Sequence, residues 1–374
     1  SSNMISLSYI KTIFTTTVVV LVLIISLNYF VDPGANYYRS GGKFPDRYAK
    51  SLVNSDHGLH WSSNTISGRD LSLALSLYAK DSDCVVIGNS HSIQIGTYGK
   101  IKPLDDVCDK ILNLSVAGGG IDDILILSYL AIKNGPPKKI ILDIGAWTLS
   151  QKEDFIEPKA GIRSSSRYAD KYRSAQLAIL EIDQKSGIFF EKYLNLINLE
   201  YTKRSASLLW KFIQEKKMPI SIVNVEKKFN TLSGIDSAVK LPDGSLVYPK
   251  SHINKQKHTP IPEEYFYYKN RTGKLVSKAN SINALKKILL FIMESEVTPV
   301  VLLVPYHENL LKFKKSITVT SMNKNENILR QVGRELRVSV IGSYNPISVG
   351  CQANEFYDFQ HPTRECLDRI KLEK

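Results

Sequence analysis

Ser90 is the strongest candidate for covalent chemistry in this sequence. It ends the run Gly88-Asn89-Ser90, which follows the short apolar segment CVVI at 84–87. A serine on a tight turn after a strand is exposed, and the backbone N–H groups of such a turn can point toward a developing oxyanion. Many serines at such positions simply cap a helix, so the run needs a partner before it indicates an enzyme.

His361 and Asp358 are the candidate partners of Ser90. A serine hydroxyl needs a general base at neutral pH, and an imidazole is the usual one. Residues spaced i and i+3 in a helical turn project from the same face. Asp358 can therefore accept the N–H of the His361 ring and turn the other ring nitrogen toward Ser90. A surface pair at this spacing is common, so the pair is also weak evidence by itself.

Other residues near strand ends are candidates for the oxyanion hole or for substrate contacts. Glycines let backbone amides approach an oxyanion without a side chain in the way. His91, next to Ser90, is expected to be a wall or substrate-contact residue, because adjacent side chains point apart. The candidates are Gly118, Gly119, Asn89, His91, Tyr306 and His307.

No metal ligand set and no cofactor site is predicted. His57 and His60 form a possible metal pair, but no third ligand lies nearby in the sequence, and a solvated loop is the preferred interpretation.

Short apolar strands alternating with helical segments predict an α/β fold with a doubly covered parallel sheet. The sites of such sheets lie at the carboxyl ends of the strands, where the candidate residues fall. The predicted strands are 84–87, 111–114, 140–142, 299–304 and 338–341, and the predicted helices are 121–133, 282–292 and 322–336.

The chain divides into an N-terminal apolar run at 12–31, a juxtamembrane segment at 32–80 and an α/β region at 81–374. Residues 150–275 are rich in Lys, Arg, Tyr and Ser and are predicted to be an insertion outside the sheet, with helices near 167–183 and 203–217. A turn is expected at 241–245, because Pro242 presets φ and Gly244 supplies a positive φ.

The N-terminal run predicts a single transmembrane helix. It has 20 residues without a charge between Lys11 and Asp32, about 30 Å of helix and enough for a bilayer core. A buried core helix or a cleavable signal peptide are the alternatives, and Asn28-Tyr29-Phe30-Val31 does not resemble a signal cleavage site.

Charge and cysteines disagree about the side of the membrane. One lysine precedes the run and four basic residues follow it closely, which favours a cytoplasmic domain, although long domains translocate largely regardless of flanking charge. The four cysteines fall into two local pairs, Cys84 with Cys108 and Cys351 with Cys366, which suits an oxidising compartment. Four reduced, buried cysteines remain the alternative.

Composition excludes several classes of protein. With 374 residues, 43% of them hydrophobic, the chain is neither mainly disordered nor a small disulfide scaffold. A mean hydropathy of -0.14 excludes a polytopic membrane protein. The net charge of +13 favours anionic partners. Nucleic acid is not expected, because no recognition element is present.

These motifs resemble those of the SGNH (GDSL-like) hydrolase superfamily. Gly88-Asn89-Ser90 is similar to its Gly-Asp-Ser block, Gly118 to its second-block glycine, and Asp358-x-x-His361 to its C-terminal block. The Asn28-to-Pro33 exit, an Asp-Gly-Ser turn at 243–245 and a late Pro-Tyr-His at 305–307 resemble its membrane-anchored branch, which includes the D-alanyl transfer protein of teichoic acid synthesis and the alginate acetylation proteins.

The resemblance implies a flavodoxin-like doubly wound sheet, a Ser90-His361-Asp358 triad and O-acyl transfer outside the cytoplasm. It implies an inner-membrane anchor, a periplasmic or extracellular domain, a polysaccharide or teichoic-acid-like acceptor and a multipass O-acyltransferase (MBOAT) as partner. One departure is that the family's third block supplies an Asn, whereas the run here is Asp143-Ile144-Gly145-Ala146-Trp147. The third oxyanion donor is therefore open.

Three functions are compatible with these observations. An acyltransferase passes an acyl group, most simply acetyl, from Ser90 to a sugar hydroxyl. An esterase or deacetylase uses the same triad with water as the acceptor. A non-catalytic, basic assembly factor would bind polymer and keep the triad as a relic.

Overall fold

A long apolar helix opens the chain. The computed structural model describes residues 2–33, 37, 44–61, 66–98, 101–104, 106, 108–150, 166–182, 193–215, 222–226, 237–249, 251–253, 279–311 and 317–371. Helix α1 (Ser2–Val31) contains one segment, Ser8–Val31, that is long and apolar enough to cross a membrane. The helix ends where Asp32 adopts a positive φ of 45° and Pro33 follows.

The centre of the molecule is a five-stranded parallel sheet. Its strands are β2 (Cys84–Ile87), β3 (Ile111–Asn113), β4 (Lys139–Asp143), β7 (Thr298–Leu303) and β8 (Ser339–Gly342). They lie in the order β3-β2-β4-β7-β8, and every neighbouring pair is parallel. This is the 2-1-3-4-5 order of a flavodoxin-like sheet. All five predicted strands are present, with ends that differ by one residue or less.

The helices lie mainly on one face of this sheet. Val85, Ile140 and Val301 point to a large core shared with α4 (Ile121–Lys133), α7 (Ala279–Glu294) and α9 (Ile317–Leu336). The described helices after α1 are α2 (Phe44–Val53), α3 (Gly68–Leu75), α4 (Ile121–Lys133), α5 (Ser166–Ala175), α6 (Leu199–Glu215), α7 (Ala279–Glu294), α8 (Glu308–Leu311), α9 (Ile317–Leu336), α10 (Pro346–Val349) and α11 (Arg364–Asp368).

The opposite face is covered more thinly than a doubly wound sheet predicts. Val86, Ile141 and Leu302 point to a smaller core, which is closed by Ile95, Leu104 and Cys108 and by Leu367 and Ile370 of the C-terminal stretch with α11. Among the described residues only the short helices α10 and α11 contribute there. Two disulfides crosslink this layer. Cys84–Cys108 joins β2 to the layer, and Cys351–Cys366 closes a loop in its C-terminal part.

A second, small sheet joins the juxtamembrane segment to the insertion. Strand β1 (Leu59–His60) pairs antiparallel with β5 (Val239–Lys240), which pairs with β6 (Leu246–Val247). The predicted turn lies between β5 and β6, with Gly244 at φ +78°. Where it is described, the insertion stays out of the main sheet; much of it, including 151–165 and 254–275, lies outside the described residues.

Candidate active site

Ser90, His361 and Asp358 form a continuous hydrogen-bonded chain at the carboxyl ends of the strands. The Oγ of Ser90 lies 2.9 Å from Nε2 of His361. The Nδ1 of the same ring lies 2.8 Å from Oδ2 of Asp358. Ser90 and His361 are 271 positions apart in the chain, so only the parallel sheet brings them together. This is the nucleophile–base–acid arrangement of a serine hydrolase.

Asp358 is held for this role by its own loop. Its Oδ1 accepts backbone N–H groups from Gln360 at 2.7 Å and His361 at 2.8 Å. The carbonyl of His361 accepts from the amide of Tyr357 across the loop. Burial alone would raise the pKa of Asp358, but hydrogen bonding and charge from His361, with the two backbone amides, hold this pKa below its usual value. The carboxylate is therefore ionised when it orients the imidazole.

The turn that presents Ser90 is braced by Asp143. The Oδ2 of Asp143 accepts the amide of Asn89 at 3.3 Å, and Oδ1 of Asn89 accepts the amide of His91 at 2.8 Å. A Cβ on Gly88 would lie 2.5 Å from the Cβ of Asp143, so only glycine fits between strand and turn. No helix follows Ser90, in contrast to a strand-to-helix elbow; residues 90–94 form successive turns.

Asp143 itself is fully buried. Burial raises its pKa to about 6, although hydrogen bonds from Ser92 and Asn89 act in the opposite direction. Its Oδ1 has no hydrogen-bond partner among the described residues. Burial therefore raises the pKa of the carboxyl group that braces the Ser90 turn well above the usual value for an aspartate.

The glycine-rich segment after β3 offers one backbone N–H group for an oxyanion hole, that of Gly118, rather than several. Gly118 adopts φ +66°, and its N–H donates to no other described residue. The N–H of Gly119 donates to the carbonyl of Val116, and a Cβ there would lie 2.5 Å from the carbonyl oxygen of Gly88. The expectation that Gly119 lines the oxyanion hole is therefore wrong: it is a close-packing glycine. Gly118 and the N–H of Ser90 remain available.

Arg69 contacts the candidate site, although the sequence did not predict it. Its Nη2 donates to the carbonyl of Gly118 at 3.3 Å and pairs with Asp123 at 2.7 Å. Asp123 also accepts the hydroxyl of the buried Tyr168 and the amide of Gly120. This network fixes the orientation of the Gly118 peptide. The acidic first turn of α4 was visible in the sequence, but nothing there pointed to Arg69.

The side chain of Asn89 packs against Gly145, in the segment that follows β4. Its Nδ2 would lie 2.6 Å from a Cβ on Gly145, so the glycine at this position makes room for the amide. With its Oδ1 held by the His91 amide, the Asn89 side chain has a fixed orientation with its NH₂ group on the β4 side of the turn.

His91 and Tyr306 form the wall behind the triad. The His91 ring lies edge-on to His361 at 5.4 Å and to Tyr306 at 4.9 Å. Burial, with the charge of His361, lowers the pKa of His91 to about 3. Tyr306 is fully buried, and its hydroxyl accepts the amide of Ala146. Substrate contact by Tyr306, as predicted, is therefore contradicted, because the side chain has no exposed surface.

His307 belongs to its own loop. Its Nδ1 accepts the amide of Asn309 at 3.0 Å, and its ring packs edge-on against Phe356 at 5.3 Å. Its backbone N–H donates to the carbonyl of Phe359. The geometry favours a structural role for His307 over the predicted substrate contact, because His307 connects the loop after β7 to the loop that carries His361.

Among the described residues no group of three or more His, Cys, Asp or Glu side chains is arranged to hold a metal ion. His60 instead lies 2.6 Å from the hydroxyl of Ser237 through Nδ1.

No protein-family model and no curated protein matches the chain. The function is therefore inferred from the geometry of the site and from the motif resemblance alone.

Proposed function

We propose that this chain is an extracytoplasmic O-acyltransferase that modifies a cell-surface polysaccharide or a related polymer through an acyl-serine intermediate. One observation carries the proposal, namely the chain of hydrogen bonds from Asp358 through His361 to Ser90. An isolated serine or an isolated Asp–His pair would not carry it.

The first half-reaction loads the serine. The Oγ of Ser90 attacks the carbonyl carbon of the acyl donor while Nε2 of His361 takes the hydroxyl proton. The amides of Ser90 and Gly118, with the Nδ2 of Asn89 as third donor, stabilise the oxyanion. The donor's alkoxide leaves with the proton from His361, and the acyl group stays on Ser90.

The second half-reaction reverses these roles. An acceptor hydroxyl gives its proton to His361 and attacks the acyl-serine, and the Ser90 alkoxide leaves and recovers that proton. If water enters instead, the same residues hydrolyse the ester. The triad residues are the same for acyl transfer and for hydrolysis. The preference for transfer therefore depends on the resemblance to the membrane-anchored branch of the superfamily.

The placement outside the cytoplasm is supported by the two disulfides, since such bonds persist in oxidising compartments. The apolar helix α1 would hold the domain at the inner membrane. A multipass O-acyltransferase in the same membrane is the proposed source of the acyl group.

A fluorophosphonate probe tests the nucleophile. The probe should label the purified full chain at Ser90, and Ser90→Ala and His361→Ala should abolish labelling. Ser295→Ala is the matched control, because this serine follows α7 at the opposite end of the strands and its hydroxyl donates to the carbonyl of Phe291. Labelling that survives in Ser90→Ala would place the reactive nucleophile elsewhere and reject the triad. A wild-type chain that the probe does not label would favour a non-catalytic assembly factor.

A product assay then separates transfer from hydrolysis. The chain is incubated with p-nitrophenyl acetate, with and without a polysaccharide acceptor. Acetylated polymer that depends on Ser90 supports the transferase, whereas release of acetate alone, unchanged by the acceptor, supports the esterase.

A further inference from the structure

Helix α6 is joined to the end of α1 by buried polar contacts. The Nδ2 of Asn28 donates to the carbonyl of Leu196 and to the hydroxyl of Thr202, both at 2.8 Å. The hydroxyl of Tyr201 donates to Asp32 at 2.8 Å. The start of α6 is therefore attached where α1 ends.

The two helices are antiparallel, because α1 ends at this joint and α6 begins there. On α1 the less exposed stripe extends backward from Val31 through Asn28 to Ile24. On α6 the buried stripe extends forward from Tyr201 to Leu208, seven residues or about 10 Å of helix. Since α6 packs mainly on α1, the two stripes face each other. The C-terminal half of α6 thus lies beside the last apolar turns of α1.

The outward surface of this helix pair is apolar. Trp210 is 61% exposed and Ile213 is 59% exposed, at the level of α1 that would lie in lipid. A contiguous exposed patch of this kind marks an interaction surface rather than ordinary solvent-facing protein. The large exposed side chains of α6 and the turn before it are Tyr193, Leu194, Ile197, Leu199, Leu209, Trp210, Phe212 and Ile213.

We propose that α6 is a second membrane-embedded element, and that lipid of the bilayer crossed by α1 covers its apolar surface. The inference depends on α1 spanning the membrane, not on the chemistry of Ser90. One feature favours lipid: the patch continues the exposed apolar surface of α1, the segment long and apolar enough to cross a membrane.

The charges of α6 agree with this placement. Lys203 and Arg204 lie near the joint, at the level where headgroups begin, and Lys203 is exposed. Anionic headgroups attract such residues, while the apolar half extends toward the acyl chains. With two elements in lipid instead of one, the domain is held at a fixed distance from the bilayer and at a fixed tilt relative to it.

Site-directed spin labelling tests the proposal on the full chain. All four cysteines are in disulfides, so one introduced cysteine is the sole free thiol. A nitroxide is attached to Ile213→Cys, and to Glu294→Cys as an exposed control on α7. Both proteins are reconstituted into liposomes of phosphatidylcholine and phosphatidylglycerol, without any other protein.

The Ile213→Cys label should collide with dissolved oxygen and lose its collisions with a water-soluble nickel chelate, whereas the Glu294→Cys label should collide with the chelate. Equal chelate collisions at both positions would overturn the proposal and leave the patch for a protein partner. Independently, brominated lipid should quench tryptophan fluorescence in the unlabelled chain, and Trp210→Phe should remove most of that quenching. Quenching that is unchanged in Trp210→Phe would also overturn it.

Discussion

His361 connects the two halves of the candidate site, and a second imidazole stands 5.4 Å from it. The two rings differ in their surroundings. His91 is buried, its pKa is lowered to about 3, and it therefore stays neutral beside the proposed general base. His361 instead has the Asp358 carboxylate on one nitrogen and the Ser90 hydroxyl on the other. A neutral neighbour lets His361 become positive during the reaction without a like charge nearby.

Asp358→Asn should slow acylation of Ser90 by about 10³- to 10⁴-fold, because an amide no longer enforces the tautomer that a carboxylate does. The side-chain oxygen that accepts the Gln360 and His361 amides is retained, so the loop should keep its shape. The measurement is the burst of p-nitrophenol from p-nitrophenyl acetate. Asp368→Asn, in the same C-terminal segment, is the control. A burst rate within tenfold of wild type would contradict the role of Asp358.

Asp143→Asn should change how stability depends on pH. The folded-state pKa of Asp143 is raised by burial to about 6, so the folded state binds the proton more tightly than the unfolded state between about pH 4 and pH 6. Wild type should lose stability over this window as pH rises, on the order of 2 kcal/mol. Asp143→Asn carries no such ionisation.

The measurement is the free energy of unfolding of both proteins in urea at pH 4 and pH 7.5. The difference between Asp143→Asn and wild type should shift in favour of the variant at the higher pH. Asp122, whose pKa burial also raises to about 6, is present in both proteins and cancels. A difference that is independent of pH would show that folding does not raise the pKa of Asp143.

At the level of elements, the β5–β6 hairpin holds both halves of the site. Asp243 in its turn accepts the amide of Thr97 at 2.7 Å, in the segment that follows Ser90. Buried Arg364, three residues after His361, donates to the carbonyl of Tyr98 and to the Ser245 hydroxyl. The insertion therefore contributes to the geometry of the triad although its strands lie outside the main sheet.

Arg364→Gln should lower the rate of Ser90 acylation by up to about 10²-fold, since displacement of a catalytic group by about 1 Å costs that much. Arg369→Gln is the matched control in the same segment: Arg369 pairs with Glu355 at the surface, and exposed pairs contribute little. Acylation rates and thermal unfolding of both variants are compared with wild type. If Arg364→Gln acylates at the wild-type rate, the hairpin does not position the triad.

The sequence pattern predicted the strands of the main sheet and the helices packed on it, because the local order of apolar residues determines each of these elements. The encounter of Ser90 with His361 followed from one topological rule, that parallel strands end at one edge. The small sheet escaped prediction because strands of two residues, such as β1 and β5, have no measurable alternation. The contacts of Arg69 with Gly118, and the burial of Tyr306, depend on side chains that are distant in the chain.

For the whole molecule, the two faces of the sheet differ in how they are stabilised. One face is closed by the large core with α4, α7 and α9, and the other by an irregular layer with a small core. A thin layer buries less apolar surface, and each disulfide reduces the entropy of the unfolded chain instead. The thin layer includes the loop with Asp358 and His361, so the covalent bonds and the candidate catalytic residues occupy the same part of the molecule.

Reduction of the two disulfides should therefore destabilise the thin layer on one face of the sheet and lower the reactivity of Ser90, while the other face stays folded. Closing a loop of 15 residues, as Cys351–Cys366 does, contributes about 3 kcal/mol in the chain-entropy model. After reduction and alkylation, hydrogen exchange should accelerate in 90–108 and 346–370 and remain slow in α4 and α7. Fluorophosphonate labelling of Ser90 should fall in parallel. The double variant Cys351→Ser/Cys366→Ser should reproduce the change at 346–370 without reductant, whereas Ser295→Ala should exchange like wild type. Uniform acceleration on both faces would mean that the sheet unfolds as one unit and that the layer has no separate stability.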